Sequence, residues 1–328
     1  MGILKTWLIT GVSGFIGSHI LQKLLKQDQR VVGLDNFATG NARNLDQVKQ
    51  AVSETQWKQF SLIEGDVVNP EDCRKACAGV QYVLHQAAVA SVPRSIKDPL
   101  GTHNINVTGF VNMLLAARDS GVLRFVYASS SAVYGDIPDV PNREPSIGRL
   151  LSPYAVSKRA NELYADVFAS TYNFPAVGLR YFNIFGPRQD PEGPYAAVIP
   201  RWIDAMLKNS PITIFGDGST SRDFCYVEDV ARANILAATA SGLDGHDVFN
   251  IAAGQQTTLN QLFSMLQQSL SAQCPHLKDY RPQYEDFRPG DVKHSQADIR
   301  KAKQLLGFEP KFSVQQGLKK YLQGLRTT

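Results

Sequence analysis

Tyr154-Ala155-Val156-Ser157-Lys158 sets a phenol and an amine four residues apart. On a helix those positions share a face, so Tyr154 and Lys158 point the same way. A free tyrosine titrates near about pH 10, too high for a base at neutral pH. An ammonium beside it stabilises the phenolate and lowers that value, which would let Tyr154 take a proton from a hydroxyl. Ser129-Ser130-Ser131 closes an apolar run upstream, where Ser130 would hold that hydroxyl or relay its proton. The competing reading is an amphipathic helix with an interfacial tyrosine and a lysine whose stem covers apolar surface.

Removing a proton in this way goes with removing a hydride, and the N-terminus offers a place for a hydride acceptor. Leu8-Ile9-Thr10-Gly11-Val12-Ser13-Gly14-Phe15-Ile16-Gly17 places glycines at 11, 14 and 17 between a strand and a helix. Gly11 allows a tight turn, Gly14 lets a pyrophosphate approach the backbone, and Gly17 permits close helix packing. The helix N-terminus then presents its N–H groups to phosphate. The alternative is a glycine-rich turn that only caps a structural helix. The next strand ends in Asp35-Asn36. An acid there bonds a ribose 2′-hydroxyl and repels a 2′-phosphate, which favours NAD over NADP. Asp66 and Val67, after the third strand, would meet adenine; for Asp66 the alternative is a helix N-cap ahead of Pro70. Small residues in His85-Gln86-Ala87-Ala88 would let a nucleotide lie close. His85 itself reads as a packed strand-end residue rather than a catalyst.

The elements that must position these groups read as α/β. Strand-like runs at 5–10, 30–35, 60–65, 82–85, 124–129 and 176–180 alternate with helical periods at 15–26, 70–76, 101–120 and 154–171. That alternation implies a Rossmann-type, doubly wound parallel sheet with its ligands at the strand C-termini. Beyond residue 180 the elements shorten, with helical periods at 200–208, 228–241, 258–270 and 296–306. We therefore expect a nucleotide-binding domain over 1–180 and a smaller C-terminal α/β substrate-binding domain over 181–328, with 247–252 able to return to the main sheet.

Composition excludes other classes. The 328 residues carry 34 Lys and Arg against 30 Asp and Glu, a net charge of +4, too small an excess to argue for nucleic acid or an anionic membrane. No apolar run reaches the ~18 residues of a membrane span, and the N-terminus lacks a signal-peptide pattern. Cys73, Cys77, Cys225 and Cys274 have no C-x-x-C spacing and read as free thiols in a reducing cytoplasm, with no metal site. Met1 to Thr6 fits an N-myristoylation template, but a strand beginning at Ile3 would leave Gly2 no free arm.

The glycine turn, Asp35, the serine run before Ala132-Val133-Tyr134-Gly135, and the Tyr154/Lys158 pair together resemble the extended short-chain dehydrogenase/reductase family. Leu179-Arg180-Tyr181-Phe182-Asn183-Ile184-Phe185-Gly186-Pro187, Ser221-Arg222-Asp223-Phe224 and Arg288-Pro289-Gly290-Asp291 are similar to nucleotide-sugar 4-epimerases. Arg188-Gln189-Asp190-Pro191 and His294-Ser295-Gln296-Ala297-Asp298 are similar to the bacterial UDP-N-acetylglucosamine 4-epimerase group. The resemblance implies that Tyr154 is the base and acid, tuned by Lys158, with Ser130 and Ser131 on the reacting sugar. It implies NAD contacts from Phe15, Ile16, Asn36, Gln86, Ala87, Ala88, Asn106 and Tyr181 beside those named above. For a UDP-sugar it implies Ser91, Asn183, Ala197 and Val198, with Arg222 and Arg288 on the diphosphate and Asp291 on the uridine ribose. Two guanidiniums suit a pyrophosphate, although surface ion pairing would also account for them.

The same scaffold hosts several chemistries. A dehydratase of the family resembles its relatives in carrying an acidic pair after the catalytic serine or threonine; here Ser131 and Ala132 stand there. What remains is reversible C4 epimerisation: oxidation, rotation of the keto sugar, and return of the hydride. The resemblance makes Ser295 a gate beside the sugar's C2 substituent, small enough to admit an N-acetyl group. Capping of a helix from Gln296 is the alternative role. UDP-glucuronate epimerisation or decarboxylation, with extra donors from Ser91, Arg94 or Ser131, and a non-catalytic NAD sensor are the rival functions. A homodimer through the helices at 101–120 and 154–171 is expected from the resemblance.

Overall fold

Strands without polar alternation need cover on both faces, and that is how the first half of the chain folds. The computed structural model describes residues 4–191, 196–287 and 292–325. Seven strands make one parallel sheet: β1 (Thr6–Thr10), β2 (Arg30–Asp35), β3 (Phe60–Glu64), β4 (Tyr82–His85), β5 (Arg124–Ser130), β6 (Ala176–Tyr181) and β7 (His246–Ile251). Their order is β7-β6-β5-β4-β1-β2-β3. Thr10 pairs with His85 and Ser130 with Tyr181, so the residues singled out for chemistry share one sheet edge. Connection order reverses between β1 and β4, the crevice where open α/β sheets bind ligands.

Alternate side chains feed two cores. Trp7 and Ile9 join Val126, Leu179 and Phe249 on one face, beneath helix α1 (Phe15–Leu25) and the later helix Val227–Thr239. Leu8, Val83, Phe125 and Tyr127 fill the other, beneath Pro70–Cys77, α2 (Gly109–Asp119) and α3 (Pro153–Tyr172). A third core of Phe185, Trp202, Ile214, Phe224, Leu262 and Leu318 holds the C-terminal part. Its strands pair two by two: Ile184–Phe185 with Cys225–Tyr226, Ser221–Arg222 with Thr257–Thr258, and Thr213–Phe215 with Gln283–Glu285. β7 comes from the C-terminal half of the chain and lies beside β6.

Two helices depart from expectation. The period over 101–120 is broken: Pro99–His103 is α-helical, Asn104–Thr108 widens into a π turn, and α2 follows. The helix expected from Gln296 begins at Arg300, because residues 294–298 give their backbone groups to other segments. Ser295 N donates to Ser221 O, and Asp298 N to Asn142 O. Ser295 therefore caps no helix. No helix among the described residues is long and apolar enough to cross a membrane, and no cluster there offers a metal three His, Cys, Asp or Glu ligands. All four cysteines are free. Gly2 lies outside the described residues.

Candidate active site

The glycine turn leaves no room for side chains. Gly11 takes φ +67°, and a Cβ there would lie 2.9 Å from the Ala87 nitrogen. A Cβ on Gly17 would lie 2.1 Å from the Gly11 oxygen. Gly14 precedes α1 with no side chain capping its first turn, so those N–H groups face the crevice as a phosphate cradle. Asp35 sets the acidic end: its carboxylate accepts from Ser13 N at 2.8 Å and Phe37 N at 2.9 Å. Asn36 Nδ2 donates to Asp66 at 2.8 Å. Asn69, not Asp66, caps the helix from Pro70, which leaves the Asp66 carboxylate beside Asn36. Ala87 N is held by Thr10 Oγ1 at 3.1 Å. Phe15 and Ile16 wedge the turn against the C-terminal core.

Three residues expected at the nucleotide also make structural contacts. Val67 is turned into the core, and its carbonyl accepts from Asn112 and Cys73. Asn106, buried on the π turn, accepts from Val89 N at 2.8 Å and donates to Val89 O and Ser157 Oγ, each at 3.1 Å. With its amide committed on both sides, it braces the loop and α3. Tyr181 exchanges hydrogen bonds with Gln86 and Asn234 beneath the sheet edge. His85 packs between Phe110 and Phe125 with Nδ1 at 2.8 Å from Thr10. Burial and the Lys158 charge hold it neutral, its pKa lowered to about 3.

Catalytic geometry starts with the cap of α3. Ser152 Oγ accepts from Ala155 N at 3.2 Å and Pro153 opens the helix, as proline does best at a first position. Tyr154 thus sits in the first turn, its own N–H donating to Ser95 Oγ at 3.0 Å. Lys158, 3% exposed, donates to Ala128 O at 2.8 Å and lies 5.9 Å from the centre of the Tyr154 ring. The half-buried phenol lies near the Ser130 hydroxyl. In the protein without nucleotide, burial pushes Tyr154 up and the nearby Ser130 hydroxyl opposes it. Burial also pulls Lys158 down to about 8. The site is too dry for either charged form to be free of cost. Ser131 starts the short 3-10 turn Ser131–Tyr134, which Ser130 caps by accepting from Ala132 N.

A cavity of about 460 Å³ opens in the C-terminal part. Asn183, Ala197, Val198 and Arg222, all expected at the substrate, line it. So do Phe215, Phe287 and Lys293, which sequence reading missed although they flank its glycine- and proline-rich motifs. Ser91 and Ser295 lie outside that lining; Ser91 caps the helix Val92–Lys97 by accepting from Arg94 N. Arg288 and Asp291 fall outside the described residues.

Residues 7–252 match the family described as NAD dependent epimerase/dehydratase. The chain belongs to that family. It is an NAD-dependent enzyme, and the glycine cradle with Asp35 fits that cofactor. Across 97% of its length the family member is 36% identical to a putative UDP-glucose 4-epimerase of Methanocaldococcus jannaschii, of which it covers 98%. A UDP-N-acetylglucosamine 4-epimerase of Methanobrevibacter ruminantium, solved with UDP-N-acetylmuramic acid, superposes with a TM-score of 0.89 at 36% identity, 99% of each chain covered. The UDP-glucuronic acid 4-epimerase of Bacillus cereus, solved with its sugar nucleotide and NAD, gives 0.86 at 31% identity, covering 98% of this chain and 99% of that one.

What sequence reading did not find in this family member is the buried support. Arg180 pairs with Glu162 through two 2.8 Å bonds. Asp223 accepts from Ala253, Gly254 and Ala297 N–H groups, tying together the segments around the cavity. Glu162 follows Lys158 by one helical turn, a spacing that could have marked it; Asp223 carried no local sign of its distant partners.

Proposed function

We propose that the chain is a UDP-sugar 4-epimerase acting on UDP-N-acetylglucosamine and UDP-N-acetylgalactosamine, and admitting UDP-glucose and UDP-galactose. The observation that carries this reading is Lys158, anchored on Ala128 O at the sheet edge with its ammonium 5.9 Å from the centre of the Tyr154 ring, next to the strand end that holds Ser130. Bound NAD supplies a reversible hydride acceptor. Ser130 orients the sugar's C4 hydroxyl, and Tyr154 takes its proton as the C4 hydrogen departs. After the 4-keto sugar turns over, Tyr154 gives the proton back to the oxygen on the opposite face. Each proton and hydride removed is returned, so the cycle needs no external reductant. Ser131 and Ala132 offer no second acid for loss of water.

Ala197, Val198, Phe215 and Phe287 suit a pyrimidine base, and Arg222 with Arg288 suits the diphosphate. The resemblance puts Ser295 beside the sugar's C2 substituent, where so small a side chain would admit an acetamido group. A second reading, UDP-glucuronate as substrate, is favoured by Arg94. It stands on the helix whose Ser95 holds Tyr154 N, and its guanidinium has no partner among the described residues. Exposed Val156, Leu163, Val167, Ile96 and Leu100 on α3 and the neighbouring helices support a homodimer.

The test is incubation of purified protein with UDP-N-acetylglucosamine, without added reduced cofactor, followed by assay for the C4 epimer. Formation of UDP-N-acetylgalactosamine is expected. Conversion of UDP-glucuronate alone would overturn the assignment in favour of the second reading, and inertness toward every UDP-sugar would overturn both.

A further inference from the structure

A buried chain of hydrogen bonds runs from the loop that carries Ser295 to the strand end that carries Ser130. The loop is strapped to residue 142: Asn142 N donates to Gln296 O at 2.7 Å, and Asp298 N donates to Asn142 O at 2.9 Å. Asn250, at the end of β7, donates through Nδ2 to Asn142 O at 3.0 Å and to Asp298 O at 3.1 Å. Its Oδ1 accepts from the Tyr134 hydroxyl at 2.6 Å. Tyr134 in turn accepts from Arg180 Nη1 at 3.1 Å, and Arg180 clamps Glu162 of α3. Glu162 finally accepts from Ser129 Oγ at 2.6 Å, next to Ser130.

Every link has a fixed sense. A guanidinium only donates, so the Tyr134 oxygen must accept from Arg180 and spend its single proton on Asn250. That choice sets which way the Asn250 amide faces and leaves its NH₂ for the two loop carbonyls. Tyr134, Arg180, Glu162, Asn250 and Ser129 are all buried, so water cannot stand in for a lost member. Burial pushes the Tyr134 hydroxyl up to about 12, which keeps its proton in place over the working pH range.

None of these side chains carries a part in the chemistry described above. We propose that Tyr134, acting through Arg180 and Asn250, is a positioning residue that holds the Ser295 loop at a fixed distance from the Ser129–Ser131 strand end while the keto sugar turns over. The proposal rests on the epimerase reading. Its consequence is specific: a looser loop lets the oxidised sugar escape before it is reduced again.

Tyr134→Phe keeps the ring and removes only the linking hydroxyl. In the full-length, NAD-loaded protein we expect melting temperature, bound NAD and KM for UDP-N-acetylglucosamine to stay near wild type, while kcat falls about tenfold. Reduced nicotinamide fluorescence should build up during turnover, because some sugar leaves oxidised. Ser129→Ala, which frees the strand end from Glu162, should give the same pattern more weakly. Combined with Ser295→Ala, Tyr134→Phe should cost less than the product of the two single losses, since both act on one loop. Turnover of Tyr134→Phe within about twofold of wild type, strict multiplication in the double variant, or loss of rate in step with loss of folded protein would each overturn the proposal. Wild type that epimerises no UDP-hexose would instead sink the reading beneath it.

Discussion

Lys158 and Arg222 are both cations that we propose serve one reaction, yet they are built into the protein by opposite means. Lys158 is 3% exposed, in the second turn of a 20-residue helix, with its ammonium on a carbonyl of the central sheet. Arg222 is half-buried on a two-residue strand at a cavity mouth, bonded to the backbone oxygen of Ser221 at 2.9 Å. One end of the site is held by a seven-stranded sheet and buried side-chain pairs. The other is assembled from short strand pairs and carboxylate-to-backbone ties such as Asp223. Chemistry at C4 tolerates little displacement of the reacting atoms, whereas grip on a nucleotide is shared among several contacts. We therefore expect damage at the first end to appear in kcat and damage at the second in KM and sugar preference.

The largest effect should come from Tyr154→Phe. Loss of the proton acceptor removes general acid–base catalysis, so turnover should drop by about a thousandfold or more. Bound NAD and UDP-sugar affinity, measured by absorbance and calorimetry, should hold. A large rise in KM would mean that the phenol is a binding group and would blur the division.

Arg222→Ala tests the other end. Losing charge-assisted bonds to a diphosphate costs about 2 kcal/mol, or roughly thirtyfold in KM, with kcat nearly unchanged. Steady-state kinetics on UDP-N-acetylglucosamine would show it. A fall in kcat of the same size would make the two ends one unit.

Ser295→Tyr refines the contrast within the substrate end. Filling the space beside C2 should lower kcat/KM for acetylated sugars roughly tenfold more than for UDP-glucose. Equal losses on both sugars would remove Ser295 from selectivity and leave it as a loop residue tied to Ser221 O.

The same contrast explains which features were legible in the sequence. The glycine turn, Asp35 and the Tyr154/Lys158 pair are local patterns whose spacing alone sets geometry on a strand, turn or helix. Six of the seven strands were nearly as plain, because apolar runs covered on both faces have no other stable home; the seventh, only partly buried, could be read no further than as able to return to the sheet. Arg180 read as one residue in a motif; its partners Glu162, Tyr134 and Glu144 come from separate segments, and no local spacing joins them. The bonds of Asn106 to Val89 and Ser157 were not legible, because nothing in its neighbours announces the π turn that carries it. The stretch before Arg300 had helical periodicity, but bridges to Asn142 and Ser221 claimed its backbone first. Tertiary pairing overrode local propensity there.

The smallest expected effect concerns the buried amine. Burial brings Lys158 down to about 8 in the protein without nucleotide. Its folded pKa thus lies below the unfolded lysine value of about 10.4, so between those two pH values the unfolded chain binds the extra proton. Stability should therefore rise with pH across that window, and the charged amine should weigh against the fold below it. NAD affinity should run the other way, since only the ammonium makes a charge-assisted bond to ribose. Raising pH through about 8 should weaken NAD binding by about 1 kcal/mol, or roughly fivefold. Lys158→Met should bind NAD more weakly at every pH and with no such slope, as titration of nucleotide fluorescence across the range would show. A slope that survives in Lys158→Met would place the titrating group at the phosphate cradle or Asp35 instead, and the catalytic end would lose its claim to be the one governed by buried charge.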